Sequence, residues 1–258
     1  MPVSVPERPC ARHAHLERAE MNSIRRIATL AGVIFLITEV TSIGGLLLYG
    51  PVLNGAEYVV GAGADTRVFL GALLELMLAA ANVGTAVTLF PIVKRQSEGL
   101  ALAYVCGRVL EAAVIIVGAI SLLAVVSLRQ NVAGAAGADP ATYTVLGSTL
   151  VAVHNWTFLV GPNFILGCNS FMLAYLMFRS GLVPRATIIL GMVSGPLIIL
   201  SAIAVMFGAY PQLSSIGGVL GLPSLAWEVS LGLWLIVKGF KSSSVIISGI
   251  GTSAPAVA

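Results

Sequence analysis

Six ionisable residues stand inside long apolar runs of this 258-residue chain: Glu39, Glu75, Arg108, Glu111, His154 and Glu228. Asn82 joins them in the same runs. A charge at the centre of a lipid-spanning helix costs roughly 2.5–3.5 kcal/mol, so such side chains turn inward and seek partners. Arg108 and Glu111 are three apart and share one helix face; Glu75 and Asn82, seven apart, share another. Arg108 is expected to pair with a membrane carboxylate. Glu75, on the preceding helix, and Glu111, on its own, lead; Glu39 and Glu228 are the alternatives. Four carboxylates face one arginine and one histidine, so at least one carboxyl carries a proton or touches water. Two kinds of chemistry suit this set. It can be an interhelical network that fixes helix register, or it can line a path for a proton or a small solute.

Other chemistry lacks its residues. His13 and His15 fall in the amino-terminal stretch, which leaves His154 as the only histidine in a span, so a bis-histidine haem from one chain is not expected. No H-E-x-x-H motif, no G-x-x-x-x-G-K-[ST] loop and no serine nucleophile site is present. Cys10, Cys106 and Cys168 form no metal-type or disulfide spacing. No cofactor and no metal is expected. A lipid-modifying enzyme with Glu75 or His154 as acid/base stands as a third reading beside transport and scaffold.

The elements that must hold these residues are set by composition. Hydrophobic residues make up 57% of the chain and charged residues 10%, against roughly 25% charged in soluble domains, so the bilayer is the expected solvent. Six runs are long enough to span it, at about 27–49, 68–93, 100–128, 150–178, 186–209 and 217–238. Backbone groups in lipid must be satisfied internally, so an all-α bundle of six transmembrane helices is expected. The basic residues lie outside the runs in short clusters. Arg25, Arg26, Lys94, Arg95, Arg179, Arg185, Lys238 and Lys241 share one side, with Arg8, Arg12 and Arg18; Arg67 and Arg129 hold the other. The positive-inside rule then puts both termini in the cytoplasm and the protein in the inner membrane. The clusters form no stripe for nucleic acid.

Three regions follow: a polar tail at 1–26, the six-helix domain at 27–241 and a disordered tail at 242–258. Met21 precedes the first apolar run, and a start there is expected to give a fully inserted protein. The outer segments 50–67 and 129–149 are rich in Gly, Ala and small polar residues, suited to short surface elements. Gly191 with Gly195, and Gly217 with Gly221, are spaced for close helix approach. Pro162, Pro196 and Pro223 lie within helices and each removes a backbone donor.

Four blocks carry a family likeness: ANVGTAVTLFPIVKRQSEGLALAYVCGRVLEAAVIIVGAISLL, HNWTFLVGPN, YLMFRSGLVPR and WEVSLGLWLIVKGF. In this order they resemble the bacterial family called domain of unknown function 4386, over about residues 24–241. The resemblance implies a multi-helix inner-membrane protein with no assigned activity. It brings no catalytic or ligand residue with it.

Overall fold

The computed structural model describes residues 9–54, 58–61, 64–134, 139–244 and 247, and it holds no strand among them. The helices are α1 (Pro9–Leu48), the short α2 (Gly50–Asn54), α3 (Asp65–Val93), α4 (Glu98–Gly134), α5 (Pro140–Phe158), α6 (Leu166–Ser180), α7 (Arg185–Met206) and α8 (Ser215–Val237). A π-helical segment, Leu159–Ile165, joins α5 to α6 without a break. Six stretches are long and apolar enough to cross a membrane: Met21–Leu48, Asp65–Val93, Glu98–Val132, Pro140–Ser180, Arg185–Met206 and Ser215–Val237.

The helices form a ring in chain order. α1 packs on α3, α3 on α4, α4 on the α5–π–α6 rod, α6 on α7, α7 on α8, and α8 back on α1. Polarity is inverted relative to a soluble protein. Outward faces carry large apolar side chains such as Val40, Val87, Ile120, Leu200 and Val237, all exposed, while Arg108, Glu111 and Glu228 are buried. Lipid accepts that outer face; the interior must supply partners for the charges.

Two contacts close the ring tightly. A Cβ on Gly195 would stand 2.7 Å from the Gly167 carbonyl oxygen, and one on Gly167 would stand 2.7 Å from that of Gly195. Only glycine allows α6 and α7 to cross at that distance. Gly32 does the same for α1 against α8, where a Cβ would lie 2.5 Å from the Gly232 carbonyl oxygen. Gly191 instead makes room for the buried Trp227 ring. The pair expected at Gly217 and Gly221 makes no such crossing: a Cβ on Gly221 would meet nothing within 4 Å, and one on Gly217 would meet only its own loop. Arg25 also ties α1 to α8, donating to the carbonyls of Ile236 (2.7 Å) and Val237 (3.0 Å), which α8 leaves unpaired at its end.

Element ends differ from the sequence expectation. α1 is helical from Pro9, eighteen residues before the apolar run expected to open at 27. The tail expected from Ser242, beyond Ser244 and apart from Ile247, lies outside the described residues, as do residues 1–8. The segment expected to carry a surface element at 50–67 holds α2, and much of 129–149 is helix. α4 runs on to Gly134, and α5 starts at Pro140, capped by Asp139, whose carboxylate accepts from the Ala141 and Thr142 N–H groups at 3.2 Å each. A bond from the Thr142 hydroxyl, with those two, holds the exposed Asp139 carboxyl below its ordinary range. The overrun is packed and bonded. Tyr58 and Val59 pack on Leu122, Val125 and Val126, and Asp65 accepts from Tyr58 (2.8 Å) and pairs with Arg129.

Candidate functional site

Arg108 is at the centre of the bundle and is 1% exposed. Its Nη2 donates to Glu228 Oε1 at 3.0 Å, and its Nη1 pairs with Glu111 Oε2 at 3.3 Å. Nη1 also donates to Asn82 Oδ1 (3.2 Å), and Nε donates to the Tyr104 hydroxyl (3.3 Å). The Phe35 and Tyr104 rings cover the guanidinium, with centroids 5.8 and 5.7 Å away. Each nitrogen therefore has a protein partner, and the aromatic faces add cation–π attraction.

Glu111 is held from three helices. It accepts from Asn82 (3.0 Å) on α3, from Arg108 on α4 and from Asn169 Nδ2 (2.7 Å) on α6. Asn169 reaches α4 because Gly107 has no side chain: a Cβ there would overlap the Asn169 amide oxygen. Glu39, half-buried on α1, stands beside the Glu228 carboxyl of α8.

These groups open on a cavity of about 150 Å³ lined by Glu39, Asn82, Arg108, Glu111, Glu228 and Ser224, among others. Its wall on one side is the π segment, through Pro162 and Asn163. Proline cannot donate its backbone nitrogen, and the wider π turn accommodates the loss. The loop before α8 then fastens this segment. With its amide turned as its neighbours require, Gln212 donates to the Asn155 carbonyl and accepts from Asn163 Nδ2 and the Leu159 N–H, each at 3.1 Å.

Glu75 and His154 form a separate cluster. His154 Nε2 lies 3.2 Å from Glu75 Oε1, and the Tyr49 hydroxyl donates to Glu75 Oε2 at 2.9 Å. The space beside this cluster is about 10 Å³. Ile115, Phe158 and Pro162 form a wall common to it and to the central cavity.

The seven residues singled out in the sequence are thus all in the interior, but in two groups. Glu39, Asn82, Arg108, Glu111 and Glu228 form one; Glu75 and His154 form the other. Of the two leading partners for Arg108, Glu111 is paired and Glu75 is not. Arg108 is level with Asn82, and Glu75 lies seven residues back along α3, about 10 Å away at 1.5 Å per residue. Glu228 takes that place. Tyr49, Tyr104 and Ser224 were not singled out.

A model of the family described as domain of unknown function (DUF4386) matches residues 30–239. The chain belongs to that family. The match spans every helix that lines the central cavity, so the cavity is part of the DUF4386 domain and not of an appendage. No curated protein and no solved structure matches the chain.

Proposed function

We propose that this DUF4386 protein is a proton-coupled or small-solute transport protein of the cytoplasmic membrane, working through its central cavity. The observation that carries this reading is one polar space bringing together Glu39, Glu111, Glu228 and Arg108 from three helices. Three carboxyls share one guanidinium, so the site is short of positive charge unless a proton or a cation joins it. A cavity of about 150 Å³ has room for several waters, which supply a route for protons. The basic residues flanking the helices support an orientation with both termini in the cytoplasm.

A second reading draws on Glu111. With hydrogen bonds from Asn82, Arg108 and Asn169 it is as well satisfied as a carboxylate in a structural network, and a scaffold needs nothing more. The lipid-modifying reading finds less support, because about 10 Å³ beside His154 is too small for a headgroup.

Flux separates the first two. Reconstituted protein with an internal pH dye is expected to pass protons under an imposed gradient, and Glu228→Gln is expected to abolish that flux. Liposomes no leakier than protein-free ones would leave the scaffold reading in its place.

A further inference from the structure

The cavity has an unused hydroxyl. Ser224 is 5% exposed, lines the central cavity, and its Oγ has no hydrogen-bond partner. The buried Ser170 also lacks a partner, but it does not line the cavity. Other helical serines turn back to their own backbone: Ser121 to Gly118 at 2.7 Å, Ser180 to Leu176 at 2.8 Å and Ser230 to Trp227 at 3.0 Å. Ser224 does not. A buried hydroxyl left unpaired is costly, and one that borders a polar cavity is available to whatever fills it.

The neighbouring groups set the chemistry. Arg108 is committed to Tyr104, Asn82, Glu111 and Glu228, and Glu111 to Asn82, Asn169 and Arg108. That leaves Glu39, and the side of Glu228 turned away from Arg108, as the charged acceptors next to Ser224. Among the described residues, α1 brings no cation to the cavity. α3 contributes the uncharged Asn82, α4 contributes Arg108 and Glu111, the π segment contributes Asn163, and α8 contributes Glu228 itself. Two carboxyls and a hydroxyl surround this space with acceptors, which suits the three donors of a primary ammonium group. A free anion finds two carboxyls and a guanidinium already paired.

We infer that Glu39, Glu228 and Ser224 form a binding site for a small protonated amine, which competes there with a proton. The size fits: about 150 Å³ is the liquid volume of about five waters, room for an amine of four or five heavy atoms. Either occupant supplies the positive charge that two adjacent carboxyls require. Occupancy by one therefore excludes the other, which is the coupling that an exchange carrier needs. The inference rests on the transport reading for its role, but the site is measurable without flux.

The test is titration calorimetry of the full-length protein in detergent with n-propylammonium, in buffers of different ionisation enthalpy. Saturable binding with release of about one proton is expected, weakening by about tenfold per pH unit once the proton holds the pair. Ser224→Ala, which changes no charge, should weaken binding by about tenfold or more, and Glu39→Gln should abolish proton release. Glu98→Gln, at the exposed start of α4, should bind like the parent. Absence of saturable binding, binding without proton release, equal displacement by sodium, or an unaffected Ser224→Ala would each overturn the inference. Proton flux in liposomes without amine binding would leave transport standing and remove the amine site. Amine binding with proton release but no flux would do the reverse.

Discussion

At the scale of single residues, Arg108 sets the terms. It is buried and pairs with two glutamates on different helices. Removing it leaves Glu111 and Glu228 facing each other unpaired, so Arg108→Ala should lower stability by roughly 3–5 kcal/mol. Arg108→Ala with Glu228→Gln should recover part of that loss, because the second change removes one stranded charge. Thermal unfolding of the parent, both single variants and the double variant in detergent measures this; strict additivity would mean the two do not act as a pair. The Arg108–Glu111 contact was legible from a spacing of three on one helix. Glu228 stood only as an alternative, since 120 positions separate it from Arg108 and only closure of α8 onto α1 brings it in. Tyr104 lies one turn before Arg108, at a legible spacing, but a tyrosine in an apolar run reads as packing. The partner of Asn169 was hidden twice, by the π turn that resets the helix register ahead of it and by its dependence on Gly107.

At the scale of elements, hydropathy placed the six spans, because lipid demands continuous apolar runs. It did not place their ends. The stretch 129–149 is polar and small enough to pass for loop, and its helicity depends on the Asp139 cap and on packing of α4 along α5. Helix crossings were half-legible: Gly195 is at a crossing and Gly221 is not. Gly195→Ala should therefore cost about 1–3 kcal/mol through overpacking. Gly221→Ala should be neutral or raise stability by about 0.5–1 kcal/mol, since helix preference alone acts there. Melting temperatures of the two variants, moving in the same direction by the same amount, would refute the assignment. The π segment gives a second test. Gln212→Ala removes the side-chain bridge to the Leu159 N–H and the Asn155 carbonyl, which keep only their backbone partners, at about 0.5–1.5 kcal/mol of local stability. Amide exchange at Leu159 should speed up by up to about tenfold, with little change in α1 or α3. Unchanged protection at Leu159 would show that the π turn holds itself.

At the scale of the whole molecule, the ring has two unlike faces. Arg25, Lys94, Arg95, Arg185 and Lys238 mark one, and Arg67 and Arg129 the other. Alkaline phosphatase fused at the carboxy terminus should be inactive, and the same enzyme inserted between α4 and α5 active. The reverse pattern would invert the orientation. Helix lengths sharpen the asymmetry. α7, of 22 residues, is about 33 Å long and close to the thickness of the hydrocarbon layer, whereas α4, of 37 residues, reaches about 55 Å. With the basic ends level, α4 outreaches α7 by about 22 Å on the Arg129 side, braced by Asp65, Tyr58 and Arg129. A 26.6 kDa bundle otherwise sunk in a detergent belt gives electron microscopy nothing to align on. The α4–α5 projection is a built-in landmark, and an antibody fragment raised against it would turn the molecule into a particle large enough to image with a ligand in its cavity.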